Sequence, residues 1–493
     1  MLAAGTLGLL VLPTVLAFYS GGFFDKPRLA AAGVVWALVV AVAILSPRPL
    51  PETRSGRVAL LGLFLLCAWV ALSFLWAPLG GRAQDDEQRL LLYLGFMIAG
   101  VALLRGPVVR RWLEPVVALG AFVVIAYGLS ERLFPQAIHL ASSGTAVGRL
   151  EQPLTYWNAE GLLAAIGLVL AIHIAGDPTR ERWLRSAAAA GGVLLGLGTY
   201  LTYARGALGA VAVGLIVLLA LDPHPRPQLR AIVTILGASA VAALVANNLS
   251  TVKSLSARDA GDGLEMLAAL VALAIAAAVI APQVPRRPIR FPSLPVSRPA
   301  TVLGISAGLL VAGALVLAAT EGKPKGTSPL PGATPARLGS LDSNRYRYWE
   351  EAGSTFVEHP LIGIGSGGFQ VEWLKVYNRF DASGDAHSLY LETAAELGIV
   401  GVGILLLFLG GLAGSVVRLY RVDRGAAAGL AAGLSVWAFH AGLDWDWEMP
   451  AVTLPALLLA AAAIAWSDDP DLDGSAQESD QAGEAALPGV PIC

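Results

Sequence analysis

The polar residues that could do chemistry concentrate in one stretch of an otherwise apolar chain, residues 341–401. This stretch contains Arg345, Arg347, a glycine-rich segment at 363–368 and, just before an expected helix, His387. Guanidinium groups suit phosphate oxygens, and the positive end of a helix dipole favours a neutral imidazole that can accept a proton. These residue types indicate proton abstraction beside a bound phosphate, with His387 as the general base. From spacing alone, a capping or interfacial role for His387 is the alternative.

A further arginine, Arg205, lies where two apolar runs meet, in the sequence TYLTYARGALGA. An arginine so near hydrocarbon is costly and usually has a defined role. Arg205, Arg345, Arg347 and Arg149 could converge on the oxygens of a diphosphate, which the guanidinium fork fits well. For Arg205 and Arg149 the alternative is a long side chain that extends to the membrane interface without binding a ligand.

The late sequence HAGLDWDWEMP groups His440, Asp444, Asp446 and Glu448 beside two tryptophans. These acids could be solvated next to an aromatic belt, could neutralise the arginines, or could coordinate a cation. We expect no metal, because no other carboxylate or histidine spacing supports one. His440, Asp444 and Asp446 are therefore candidates for supporting roles.

Glu396 is a second kind of supporting candidate. It lies four residues after Glu392 and shares a helix face with it. At about 100° per residue, Glu396 lies opposite His387 on that helix. We therefore expect Glu396 to be a structural partner and not a member of a catalytic pair.

Two flanking segments are expected to frame this site. A helix beginning at Arg345 would be lined on one side by Trp349, Ala352 and Phe356, which suits an amphipathic helix at the membrane interface. Residues 148–161 could form part of the wall of the site.

The composition predicts that these residues are held by a membrane protein. The chain has 493 residues, of which 56% are hydrophobic and only 14% are charged, against roughly 25% charged residues in soluble domains. Apolar runs of about 18 residues or more recur along it. We expect an all-α, polytopic helical membrane protein with about 12–14 transmembrane helices and one large, partly helical extracytoplasmic loop. The candidate spans are 2–19, 29–46, 57–76, 90–105, 113–131, 158–175, 186–203, 206–221, 230–247, 264–282, 300–319, 390–417, 425–443 and 450–466.

Charge distribution gives the orientation and the domain boundaries. Lys and Arg favour the loops on the side opposite to 341–401 by roughly two to one, which places that stretch outside and both termini in the cytoplasm. Cys67 lies inside an apolar run and Cys493 at the end of the acidic tail, so we expect no disulfide bond between them. The predicted divisions are a transmembrane bundle at 1–319, an extracytoplasmic loop domain at 320–389, C-terminal transmembrane helices at 390–466 and a disordered acidic tail at 467–493.

Three motifs resemble the O-antigen ligase and polymerase family of bacterial membrane proteins. The sequence HSLYLETAAELGIVG from His387 is similar to the family's HNxxLxxxxExGxxG signature, with serine in place of asparagine. The pattern RxxxW from Arg345, followed by HPLIGIG from His359, resembles the RxxxW…PLxGxG segment. The sequence TYARG, which contains Arg205, resembles the SRG span motif, with alanine where serine is common.

The resemblance implies a GT-C-like, metal-independent transferase without a cofactor, on the outer face of the bacterial cytoplasmic membrane. Such a protein moves a glycan, with inversion, from an undecaprenyl-diphosphate carrier to an acceptor hydroxyl. His387 would deprotonate the acceptor, and Arg205 and Arg345 would hold the diphosphate leaving group, with Arg347 in place of Arg345 if the register is shifted. The partners would be the lipid-linked glycan donor, a glycan, lipid or protein acceptor, and the bilayer, with no nucleic acid.

Several functions stay open at this point. A ligase and a polymerase differ only in the acceptor, which one sequence does not define. A transporter or flippase for polysaccharide or lipid-linked glycan is the alternative class, and it predicts ionisable residues and broken helices near the middle of the membrane. Here nearly all charge lies at the ends of the predicted spans. A non-catalytic assembly protein would be insensitive to changes at His387.

Overall fold

The computed structural model describes residues 2–283, 333, 345–376 and 383–468, and within them the regular structure is helical. This confirms the all-α prediction. Short 3₁₀ turns occur at Ser20–Gly22 and Asp446–Glu448. The helices are α1 Leu2–Ala17, α2 Asp25–Leu45, α3 Arg54–Ser73, α4 Gly80–Leu103, α5 Pro107–Leu133, α6 Trp157–Gly176, α7 Arg182–Leu201, α8 Arg205–Leu221, α9 Pro225–Asn248, α10 Ser250–Ser254, α11 Ala260–Ile280, α12 Arg345–Glu358, α13 Phe369–Val376, α14 Leu389–Val422, α15 Arg424–Ala441 and α16 Pro450–Ser467.

The chain is a polytopic helical membrane protein. In the described part, α2, α3, α5, α6, α9, α11, α14 and α16 are long and apolar enough to cross a membrane, and α1 and α8 are shorter apolar helices. A helix is present at every predicted span except 300–319, which lies outside the described residues. The total of 12–14 spans and the division into domains stay predictions. The first two residues assigned to the tail are ordered, because α16 runs to Ser467 and Asp468 accepts hydrogen bonds from the backbone of Glu52 and Thr53.

Helices α6 and α16 form the centre of the bundle, and their apolar segments are entirely buried. A helix that is apolar on all sides must be covered on all sides. The segment ALLLAAAAIA in α16 supplies small side chains that let neighbouring helices approach. The outer helices α2 and α11 leave most of their apolar surface uncovered by protein. The two classes of helix match a bundle surrounded by lipid.

Helices α3 and α14 approach each other through glycines. A Cβ atom at Gly62 of α3 would lie 2.5 Å from the backbone nitrogen of Phe408 in α14. Gly411 of α14 lies in the same way against the backbone of Ala59 in α3. Such close backbone contacts need residues without a side chain. Helix α3 thereby fixes α14, which begins directly after the segment that carries His387.

Helix α14 is interrupted at Gly398, where φ is 64° and ψ is −166°. Glycine tolerates this backbone conformation. Trp69 Nε1 donates a hydrogen bond of 3.1 Å to the Leu397 carbonyl at the break, and the backbone N–H that follows the break donates to the Pro360 carbonyl at 2.8 Å. The start of the glycine-rich segment is therefore docked on the break in α14.

Candidate active site

His387 is held in one ring orientation by three contacts. Its backbone has a φ of 53°, and it precedes Ser388, which caps α14. Its Nδ1 lies 3.0 Å from the Asp385 carbonyl oxygen, and its ring stacks on Tyr348 with 5.0 Å between centroids. Trp349 Nε1 donates to the His387 carbonyl at 3.3 Å. Because a carbonyl only accepts, Nδ1 carries the proton, and Nε2 of the neutral ring is the atom that can accept one.

Helix α12 supplies the two aromatic partners of His387, with a different face turned inward from the one predicted. The buried residues are Tyr348, Ala352 and Thr355, whereas Trp349 and Phe356 are half-buried. The prediction of a Trp349–Ala352–Phe356 face was therefore wrong by part of a turn. Its cause is that α12 packs on α14 and not only on an interface, so the ring that stacks on the histidine takes the inner position.

Asp444 lies at the centre of a buried polar cluster. Its side chain is fully buried and forms an ion pair with Arg345, whose side chain is 22% exposed. Tyr156 Oη and the backbone nitrogen of Trp445 donate to Asp444 Oδ1 at 2.8 and 3.0 Å. Burial alone raises the pKa of Asp444, but the Arg345 charge, helped by His387, holds it below its ordinary value of 3.8. Asp444 therefore stays ionised and keeps Arg345 near His387.

His440, in the last turn of α15, and Asp446, in the loop that follows, form a second buried pair. Asp446 Oδ2 lies 2.6 Å from His440 Nδ1, and both side chains are almost completely buried. On its other side the His440 ring lies against Gly206, where a Cβ atom would be 3.1 Å from Nε2. Gly206 follows Arg205, the first residue of α8. The end of α15 contacts the helix start that carries Arg205, and the loop after α15 contacts Arg345 through Asp444.

The other two predicted arginines occupy different positions. The guanidinium of Arg149 lies over the Trp157 ring, 3.5 Å from its centroid, and donates to the carbonyls of Thr145 and Ala146 at 2.6 Å each. It stabilises its own loop beside the start of α6. Arg347 is half-buried and lies two residues after Arg345 on α12, which places it on a different face of that helix.

Residues 190–406 match the model of the O-antigen ligase family. This match confirms the family predicted from the motifs. The matched segment includes Arg205, Arg345 and His387, whereas the loop with Asp444 lies beyond its end. No curated protein matches the chain.

Glu396, part of the O-antigen ligase motif, supports the glycine-rich segment. Its two carboxylate oxygens accept hydrogen bonds of 2.9 Å from the backbone nitrogens of Gly367 and Phe369. The segment needs this support because Gly363, Gly365 and Gly367 all have positive φ. Glu396 does not contact His387 through any of these bonds, and the geometry is that of a structural partner.

A cluster of three acidic side chains lies next to the segment that carries His387. Asp385, Glu392 and Glu448 each place one carboxylate oxygen within 4.8 Å of the others, close enough to hold a cation. Arginines already neutralise part of this charge, since Arg89 pairs with Glu448 and Arg82 lies 3.8 Å from Asp385. Burial raises the pKa of Glu448 to about 8, against the opposing effect of Arg89. The sequence did not predict this group, because Glu448 is far along the chain from the other two.

The sequence also missed the contacts that link these residues. Tyr156 donates to Asp444 and accepts a 2.7 Å hydrogen bond from Asn158, and its ring packs 4.5 Å from that of Trp445. The expectation that residues 148–161 line the site did point to this region. The half-exposed Trp445 ring in turn lies 6.4 Å, between centroids, from that of His387.

Proposed function

We propose that this protein is a membrane glycosyltransferase of the O-antigen ligase or polymerase type. It transfers a glycan from an undecaprenyl-diphosphate carrier to an acceptor hydroxyl on the outer face of the bacterial cytoplasmic membrane. One observation carries the proposal: a single short helix, α12, holds Arg345 against Asp444 and, one turn later, stacks Tyr348 on His387. This arrangement supports a site in which one helix positions both a cation for the leaving group and a base for the acceptor.

In the proposed reaction, Nε2 of His387 takes the proton of the acceptor hydroxyl. The acceptor oxygen forms a bond to the anomeric carbon of the donor sugar while the bond from that carbon to the diphosphate oxygen breaks. Attack from the face opposite to the leaving group inverts the anomeric centre. Arg345 and Arg205 bind the diphosphate and stabilise the charge that develops on it as it leaves. We assign Arg347 and Arg149 to the margin of this donor site.

The orientation of the site is part of the proposal. The bias of Lys and Arg supports an outward-facing site and cytoplasmic termini. We further propose that the reaction needs no metal ion, so that Asp385, Glu392 and Glu448 contribute through their charge and hydrogen bonds. Chelation of divalent cations should then leave turnover unchanged. A dependence of turnover on added Mg²⁺ or Mn²⁺ would instead assign these three carboxylates to a cation.

The test is turnover of an undecaprenyl-diphosphate-linked glycan by the purified protein in proteoliposomes. The variants His387→Ala, Arg205→Ala and Arg345→Ala should each lose product by a factor of about 10²–10⁴. His387→Ala and Arg205→Ala should keep their thermal unfolding temperature, whereas Arg345→Ala should unfold at a lower temperature because it leaves the buried Asp444 unpaired. The matched controls are His359→Ala, an exposed histidine, and Arg258→Ala, whose partner is Glu131. Both controls should turn over as the unchanged protein does.

Two results would contradict the proposal. Full turnover by His387→Ala would show that His387 is not the general base. Equal losses in the controls and in the site variants would show that these residues do not form a specific site. Release of the intact lipid-linked glycan on the other side of the bilayer, with no transfer to an acceptor, would favour a flippase instead.

A further inference from the structure

His440, in the last turn of α15, contacts the start of α8, which carries Arg205, and the loop whose Asp444 binds Arg345. Its Nδ1 contacts Asp446 at 2.6 Å, in the loop where Asp444 binds Arg345. Its Nε2 and Cδ2 would lie 3.1 and 3.2 Å from a Cβ atom at Gly206, in the first turn of α8. One imidazole ring at the end of α15 thereby contacts both the loop and the start of α8.

We infer that His440 is a positioning residue that sets the spacing between Arg205 and Arg345. The inference rests on the proposed function, because the spacing matters only if both arginines bind one donor. A diphosphate has a fixed length, so two cations can both contact it only when the elements that carry them keep a fixed separation. A misplacement of about 1 Å in such a site lowers the rate by about 10²-fold.

The contacts of the ring favour this role over simple hydrogen bonding. Nδ1 is satisfied by Asp446, but within the part of the chain that the structure describes Nε2 has no hydrogen-bond partner, although His440 is only 1% exposed. A buried nitrogen without a partner is unfavourable. Toward α8 the ring therefore makes a packing contact, which is the contact that a spacer needs.

The same contact gives a reason for the glycine that follows Arg205. Gly206 has no positive φ, so its backbone would accept alanine. What restricts the position is the His440 ring, which is too close for a methyl group to enter without a shift of a few tenths of an ångström. Gly206→Ala is therefore a small wedge between the helix start and the loop.

A double-mutant cycle tests the inference. Gly206→Ala should lower kcat/KM for the lipid-diphosphate donor about tenfold, mainly through the donor KM. In the His440→Ala background, where the methyl group has room, the same substitution should have no further effect. His440→Asn, which keeps a donor toward Asp446, is the second variant if His440→Ala does not fold. The control is Gly237→Ala on α9, where the added methyl meets open space and no change is expected.

A measurement that does not use turnover separates this inference from the proposed function. Spin labels at Ile216 on α8 and Glu350 on α12, both exposed, report the separation of the two elements in nanodiscs. Cys67 and Cys493 are replaced by alanine for this purpose. The distance distribution should shift in Gly206→Ala and broaden in His440→Ala.

An unchanged distribution in both variants, or the same loss of turnover from Gly206→Ala with and without His440, would overturn the inference. If the unchanged protein does not turn over any lipid-diphosphate glycan, the proposed function fails and the distance distributions alone decide the role of His440.

Discussion

Replacing Asp444 by asparagine removes the charge that faces Arg345 but keeps a side chain of nearly the same shape. The asparagine oxygen can still accept from Tyr156 and from the backbone of Trp445. The loss is therefore confined to the ion pair. Removing one partner of a buried pair costs about 3–5 kcal/mol. Because the Arg345 side chain is 22% exposed, water relieves part of this, and we expect about 2 kcal/mol, which corresponds to a factor of about thirty in an equilibrium constant.

This loss should lower the free energy of unfolding. In the proposed reaction Asp444→Asn should in addition raise the donor KM or lower kcat/KM by about thirtyfold in proteoliposomes, because the Arg345 guanidinium is no longer held in position. Arg345→Ala should lose at least as much, and the double variant should be no worse than Arg345→Ala alone, since Asp444 acts through Arg345. Asp262→Asn is the control, because that acid lies in a different polar cluster, next to Thr251.

The same ion pair also predicts how the activity of Asp444→Asn depends on pH. Arg345 holds the folded-state pKa of Asp444 below 3.8, so the ion pair is complete above the ordinary pKa and is lost only as pH falls through the lower, folded value. Between about pH 6 and 8 the activity of Asp444→Asn, divided by that of the wild-type protein, should therefore be constant. A ratio that approaches one at high pH, or additive losses in the double variant, would refute the assignment of Asp444 as the carboxylate that orients Arg345.

Three further changes test the support of the site. Glu396→Gln leaves one of two backbone N–H groups without its acceptor, so the free energy of unfolding should fall by about 1–3 kcal/mol, measured by thermal unfolding in detergent; an unchanged stability would contradict the role of Glu396 in the glycine-rich segment. Gly363→Ala should be at least as destabilising, because φ is 68° there and a Cβ would meet the backbone of α14; wild-type stability would show that the segment can move away. Tyr348→Leu should lower turnover about tenfold with a smaller effect on stability, since it removes the ring stacked on His387. Unchanged turnover would show that the stacking does not determine the orientation of the imidazole.

Much of the architecture could be predicted from local sequence. Apolar runs long enough to cross a bilayer define helices without reference to the rest of the chain, and the turn between α7 and α8 falls at Arg205 as expected. The contiguous motif from His387 also placed the histidine directly before a helix and Glu396 on its far side. In these cases the residues that determine the structure are close together in the sequence.

The contacts between distant segments could not be predicted in the same way. Tyr156 and Asp444 are 288 residues apart, and no periodicity relates them. The buried face of α12 was also misassigned, because the pattern of apolar residues does not tell which of two adjacent aromatic residues meets a histidine from another helix. Pairing of this kind depends on tertiary packing, to which sequence patterns contribute only indirectly.

The two partners of the Arg345–Asp444 ion pair are buried to different extents, and this difference explains how acidic residues can lie in a site proposed to bind an anion. Asp444 is wholly buried, whereas the Arg345 side chain is 22% exposed. In the proposed site the incoming diphosphate contacts the cation, while the carboxylate fixes the position of that cation and lowers the cost of holding it in a poorly solvated place. Asp446 pairs with His440, and there both side chains are buried. In the proposed site the acidic loop supports the cationic side chains and keeps them in place when no donor is bound. Lengthening the loop by one glycine after Asp444 should then raise the donor KM and leave kcat nearly unchanged, as measured by turnover in proteoliposomes. A lower kcat with an unchanged KM would instead show that the loop acts on the proton transfer and not on donor binding.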